Sequence, residues 1–223
     1  MSTKRVGHSI SLLFFSISLN YVGSFIITAS YDGSIRMFDY SKTLRSRTAT
    51  HTAPITSLCL ISESDPTYTI ASSSHDRTGQ ITQVRISENG SLSSTVLATL
   101  HLHTAPLSSI HSDGNYLLTA SWDGLIGFWD TSIPLSDETP DPTPTDRGKK
   151  RRRVDEEPKP KRKAPLSVLK SHTSRVSKAI FSPSRQNKAY SCGFDSTVRI
   201  WDTEYGTCEY TFVSIPISQI EIY

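Results

Sequence analysis

Residues 119–130 read TASWDGLIGFWD, and this stretch decides the fold. Thr119 stands four residues ahead of Asp123, Gly124 follows the aspartate, and an alternating run closes on Trp129. A glycine after an aspartate marks a turn. Alternation suits a strand with two different faces. Three more segments share this grammar: TASYDGSIRMFD at 28–39, SSSHDRTGQITQ at 72–83 and SCGFDSTVRIWD at 191–202. The aligned aspartates are Asp32, Asp76, Asp123 and Asp195, separated by 44, 47 and 72 residues. The hydroxyl four residues upstream is Thr28, Ser72, Thr119 or Ser191. The aromatic six residues downstream is Phe38, Trp129 or Trp201, whereas the second copy has Thr82 there and Gln83 in place of the final aspartate.

A second element precedes three of the four segments: HTAPITSLCL from His51, HTAPLSSIHS from His103 and HTSRVSKAIF from His172. Each histidine opens a run with apolar residues at alternate positions, such as Val176 and Ile180. The histidines lie 25, 20 and 23 residues before their aspartates, which leaves room for two short strands and their turns. Recurrence at such a period is the signature of a repeat architecture. His, Ser/Thr, Asp and Trp in this register resemble the WD-repeat family over about residues 23–212, outside one insertion.

The resemblance implies an all-β fold, a WD40 β-propeller. Its blades would be four-stranded antiparallel sheets packed radially. Four of an expected seven blades are present by this count. Residues 23–130 hold about three blades and 166–213 a further repeat, and 214–223 do not complete another. In the family the histidine precedes the innermost strand and the aspartate sits between the second and third strands, so the two can meet. The first copy departs from the pattern. Phe38 cannot donate a hydrogen bond, and His8, 24 residues before Asp32, is followed by SISLLFFSIS, which only loosely resembles a first strand. Completeness of that blade is left open.

Recurring His, Ser and Asp invite comparison with a hydrolase triad. A triad needs one nucleophile, one base and one orienting acid at a single cleft. The sets His51–Ser72–Asp76, His103–Thr119–Asp123–Trp129 and His172–Ser191–Asp195–Trp201 recur blade by blade instead. Repetition points to a structural network, satisfied member by member. The sequence has no phosphate loop, metal-ligand cluster or nucleophile elbow. No catalytic residue, cofactor or metal is expected.

The 223 residues are 36% hydrophobic and 9% aromatic, ordinary for a soluble globular chain. The formal net charge is +3. Residues 131–165 hold ten Lys/Arg and seven Asp/Glu, leaving 14 of each elsewhere. The repeats are therefore neutral by count, and a globally basic nucleic-acid surface is not indicated. Cys59, Cys192 and Cys208 are odd in number and form no CxxC pair, so reduced intracellular thiols are the simplest reading. The segment 1–22 is atypical. Lys4 and Arg5 precede an apolar run over 10–19, with Val22 and Ser24 placed like a weak cleavage site. That resembles a secretory leader, against the intracellular remainder; a first strand is the alternative.

The insertion 131–165 falls between the third and fourth strands of its blade, on the face opposite the His and Asp turns. Rich in Pro, Asp, Glu, Lys and Arg, it is expected to be disordered. It carries Lys149, Lys150, Arg151, Arg152 and Arg153, then Lys161, Arg162 and Lys163. Two basic clusters around an acidic stretch resemble a bipartite nuclear-import signal. The alternative is a solvated charge run.

Taken together, the wording of the repeats and this basic insertion resemble the YTM family of ribosome-biogenesis proteins, its fungal branch in particular. That likeness implies a non-catalytic scaffold for the large (60S) subunit and rRNA maturation. It would work in nucleolus and nucleoplasm with pescadillo-type and block-of-proliferation-type proteins on the pre-60S particle, and without a membrane. No ubiquitin-like sequence precedes the first repeat, so the family's midasin contact is not expected here. The alternative function is a nuclear WD adaptor in a chromatin or ubiquitin-ligase complex.

Overall fold

The computed structural model describes residues 25–87, 91–139 and 159–213, with the backbone of three short strands before them. Those strands are β1 (Ser11–Leu12), β2 (Phe15–Ser16) and β3 (Leu19–Val22). Every other regular element is also a strand: β4 (Phe25–Ala29), β5 (Ser34–Asp39), β6 (Leu44–Ala49), β7 (Ile55–Ser64), β8 (Thr67–Ser74), β9 (Gly79–Ile86) and β10 (Leu92–Leu100). After them come β11 (Leu107–Ser112), β12 (Tyr116–Ser121), β13 (Leu125–Asp130), β14 (Lys161–Lys163) and β15 (Ser167–Lys170). Last among the described residues come β16 (Val176–Phe181), β17 (Lys188–Gly193), β18 (Thr197–Asp202) and β19 (Thr207–Val213).

Besides a β1–β2 pair, the described strands form four larger sheets in chain order: β3-β4-β5-β6, β7-β8-β9-β10 with β14 added at β10, β11-β12-β13-β15 and β16-β17-β18-β19. Neighbours pair antiparallel, as expected where each connection is a short turn. The first sheet does have four strands, but its innermost is Leu19–Val22. Part of the run after His8 forms the separate β1–β2 hairpin instead, and His8 itself lies outside the described residues.

The core forms between sheets. Ile27, Ile35 and Met37 of the first sheet pack on Ile55, Leu58 and Ile70 of the second. Ala71, Ile81 and Leu100 of the second meet Ile110, Leu117 and Trp129 of the third. Leu118, Ile126 and Leu169 of the third meet Val176, Ala179 and Trp201 of the fourth. Each sheet thus buries one face against the next, the layer logic of a propeller. In the fourth sheet the cross-strand pair Val198↔Phe212 occupies the register of Ile126↔Leu169 in the third. Val198 and Phe212 are exposed where Ile126 and Leu169 are buried, because burial comes from a following sheet and not from the blade itself.

The turn after each aspartate needs a left-handed residue. Gly33 (φ +74°) and Gly124 (φ +82°) supply it in two blades, and Arg77 and Ser196 adopt the same region in the others. A Cβ on Gly33 would lie 2.3 Å from the His51 carbonyl oxygen. Gly33→Ala is therefore expected to cost more than the ~1–3 kcal/mol of a strained φ alone. A thermal melt within 1 °C of the parent would refute this.

Candidate functional site

Three blades carry the same hydrogen-bonded chain, and the backbone places it. The histidine sits just before the innermost strand, its hydroxyl partner on the second strand and the aspartate in the next turn. In the fourth blade His172 Nδ1 lies 2.8 Å from Asp195 Oδ2, its Nε2 lies 2.7 Å from Ser191 Oγ, and Trp201 Nε1 donates to that oxygen at 2.8 Å. In the third, His103 Nδ1 is 3.1 Å from Asp123 Oδ2, Nε2 is 2.8 Å from Thr119 Oγ1, and Trp129 Nε1 donates to Thr119 Oγ1 at 3.0 Å. In the second, His51 is 2.8 Å from both Asp76 Oδ2 and Ser72 Oγ. The proton order that satisfies every atom runs from indole to hydroxyl, to imidazole Nε2, with Nδ1–H donating to the carboxylate.

Each aspartate also ties the turn together. Asp195 accepts from Thr173 N at 3.0 Å and from Thr197 Oγ1 at 2.7 Å; Asp76 accepts from Thr78 N and Oγ1 at 2.9 and 2.6 Å. The threonines two residues after these aspartates escaped the sequence reading, although both copies print Asp-x-Thr. The second blade lacks the indole. Thr82 stands in its place, and the Thr82 hydroxyl is buried without a hydrogen-bond partner.

The first blade solves the problem differently. Asp32 is met by Arg36 at 2.5 Å and Arg47 at 3.0 Å, besides Ser34. Its upstream hydroxyl, Thr28, makes only a 3.5 Å contact to the Arg36 carbonyl. Phe38, at the tryptophan position, is half-buried.

Burial limits what these sets can do chemically. The side chains of His51, His103 and His172 are 0%, 1% and 0% exposed. Thr119 is 0% and Ser191 3% exposed. A Cβ placed on Gly127 would come within 2.6 Å of Thr119 Oγ1, and one on Gly193 within 2.7 Å of His172 Nδ1. A site too tight for one methyl group has no room for a substrate beside its hydroxyl. Desolvation pushes the Cys59 thiol up to about 12, which disfavours its thiolate.

The three aspartates and His172 are all displaced downward. Desolvation opposes ionisation of Asp76, but the bonds from His51 and Thr78 outweigh it and hold the carboxyl at about 2, below the ordinary 3.8. Desolvation pulls the His172 ring below its ordinary 6.5, against the Asp195 carboxylate that raises it. Both folded-state values lie below the unfolded ones, so both contributions are complete above the unfolded value and are lost on acidification. The His172 share begins to fall below pH 6.5 and the Asp76 share below pH 3.8, vanishing as pH passes about 2. Melting temperature is expected to fall monotonically from pH 7 downward; a rise between pH 6.5 and 5 would contradict the histidine assignment.

Part of the insertion is ordered, contrary to expectation. Lys161–Lys163 forms β14, running parallel to β10 with Ala98↔Lys161, Thr99↔Arg162 and Leu100↔Lys163 opposed. Lys163 is only 2% exposed. Its ammonium pairs with Asp130 and donates to the Ser132 carbonyl at 2.7 Å. Asp137 accepts from Arg162 N at 2.9 Å and Glu138 from Ala164 N at 2.8 Å, which closes the base of the insertion. The residues nearest the blades thus find specific partners, and composition alone could not show this. The first basic cluster, Lys149 to Arg153, lies outside the described residues.

Four radially packed four-stranded sheets, three of them pinned by a His–Ser/Thr–Asp chain, define a WD-type propeller protein. The chain belongs to the WD40 family: the model described as "WD domain, G-beta repeat" matches residues 2–39, 94–130 and 163–202. Within curated proteins it is similar to "Ribosome biogenesis protein YTM1" of Laccaria bicolor, 55% identical over 201 residues, covering 85% of this chain and 44% of that protein. The homonymous proteins of Coprinopsis cinerea and Saccharomyces cerevisiae are 52% and 31% identical, over 83% and 82% of this chain and 44% and 45% of theirs. The chain spans less than half the length of these relatives. Among solved structures, the "WD40 beta propeller domain of Doa1" superposes with a TM-score of 0.59 at 20% identity, over 89% of this chain and 53% of that one. That likeness bears on the fold alone.

Proposed function

We propose that this chain is a non-catalytic interaction scaffold in biogenesis of the large ribosomal subunit. The observation that carries the reading is the 55% identity to a ribosome biogenesis protein over most of the chain. The buried His–Asp sets support it, since they act as blade pins and leave the faces and rims of the sheets for partners. The partners are pescadillo-type and block-of-proliferation-type proteins on the pre-60S particle, and the setting is the nucleus, with nucleolus and nucleoplasm. Affinity purification of the tagged chain is expected to recover those proteins with large-subunit pre-rRNA. Recovery of a chromatin or ubiquitin-ligase complex without pre-rRNA would overturn the reading.

Nuclear import is assigned to the first basic cluster. Lys163 is committed to Asp130 and Arg162 is paired with Asp137, so the second cluster offers only Lys161. Replacing Lys149, Lys150, Arg151, Arg152 and Arg153 by alanine is expected to abolish nuclear accumulation of a reporter fusion, while Lys161→Ala leaves it intact. Nuclear signal retained by the five-residue variant would refute this.

A further inference from the structure

The chain shows how a blade of this propeller accepts an added strand. At the junction of the second and third blades, Lys161–Lys163 lies along the outer strand β10, and Lys163 reaches Asp130 at the end of β13. The next junction has the same parts but no such strand among the described residues. There β15 is the outer strand of its sheet, hydrogen-bonded to no further strand among the described residues, with the β18–β19 turn at Gly206 close to Ser167 and Leu169. Beside it, between the third and fourth blades, lies a cleft of about 790 Å³.

The cleft has an aromatic floor. Tyr116 stacks on Phe128 at 5.0 Å between ring centroids, and Phe128 meets Phe181 edge-on at 6.2 Å. Ser167, the first residue of β15, lines the cleft, and its hydroxyl is buried without a partner. Asp113 and Glu204 stand on the rim against one unpaired cation, the exposed Arg185. The remaining cation, Lys188, is already held by Asp202 at 2.8 Å and Glu209 at 2.6 Å. The lining itself is balanced, and it is Asp202 and Glu209 behind Lys188 that make the neighbourhood net anionic, four carboxylates to two cations. By register Asp202 closes β18 opposite Lys188 as Asp130 closes β13 opposite Tyr116.

We propose that this cleft is a docking site for an extended, basic segment of a partner protein, seated along β15 as Lys161–Lys163 is seated along β10. Strand addition supplies main-chain hydrogen bonds to a free sheet edge. Tyr116, the exposed ring of the three, offers its face to the aliphatic stem and cationic head of a Lys or Arg, while Phe128 and Phe181 back it from the core. Asp113 and Glu204 select for positive charge. The same carboxylates repel phosphate, which disfavours nucleic acid here.

The test uses the full chain and a fluorescein-labelled peptide with the sequence of residues 160–165, Pro-Lys-Arg-Lys-Ala-Pro. Its second seat, the β10 edge, is already covered. Asp113→Asn and Glu204→Gln keep the hydrogen-bond acceptors that serve Tyr116 N and Asn187 Nδ2. Together they are expected to raise the Kd about tenfold and flatten its salt dependence without moving the Tm. Hydrogen exchange is expected to slow at β15. The proposal is overturned by unchanged affinity in the double variant, by equal binding of Pro-Glu-Glu-Glu-Ala-Pro, by tighter binding of a uridine 12-mer, or by protection confined to β10.

Discussion

His172→Ala is expected to lower the melting temperature by about 6–12 °C, the counterpart of roughly 3 kcal/mol in a chain of this size. The ring sits in the middle of a relay. It donates to Asp195 at 2.8 Å and accepts from Ser191 at 2.7 Å, which itself receives the Trp201 indole proton at 2.8 Å. Removing the ring strands a hydroxyl proton and withdraws a charge-assisted bond from a carboxylate that is 4% exposed. Both defects sit in low dielectric, where an unmade hydrogen bond costs most. Asp195→Ala should cost a similar amount, and the double variant little more than either, because the two residues act as one unit. Strict additivity in that cycle would show that the contacts are incidental. The second blade offers an internal comparison. It lacks the indole, so His51→Ala removes one link fewer and is expected to cost less than His172→Ala.

Lys163→Ala is expected to cost about 2–3 kcal/mol, below the ~3–5 kcal/mol of a fully buried ion pair. The discount follows from the partner: Lys163 is 2% exposed, but Asp130 is 36% exposed and water can still screen it. The variant also loses the aliphatic stem packed beneath the ammonium. Lys163→Met restores the stem without the charge and should recover part of the loss. Because β14 is only three residues long, loss of its anchor is expected to release it from β10. Trypsin should then cut faster after Lys161 and Arg162. Unchanged cleavage together with an unchanged melt would mean that Lys163 does not hold the strand.

The repeat wording carried most of the fold. Four aspartates at matching offsets located all four second-to-third strand turns, and three histidines marked three innermost strands. The same wording named the members of each network before any distance was known. This was legible because each network is local. Its members lie within 30 residues of one another, and their identities are dictated by hydrogen-bonding roles that few side chains can fill. Where a blade departs from the pattern the sequence flagged the departure, as at Thr82. It could not show that the Thr82 hydroxyl goes unpaired, nor that Arg36 and Arg47 serve Asp32 in place of a histidine.

The sequence by itself determined the strand content, the repeat and the residues that pin three of the blades, because those follow from local periodicity and side-chain chemistry. Only the tertiary structure decided the fate of the charged insertion. Composition counts Lys163 as one more solvated cation. In the fold, the end of β13 brings Asp130 and the Ser132 carbonyl to one point beside the β10 edge, and a lysine there is buried instead. The cleft beside β15 arises the same way, from two blades meeting. Neither feature has a local signature, because each depends on residues that only the packing of neighbouring sheets brings together.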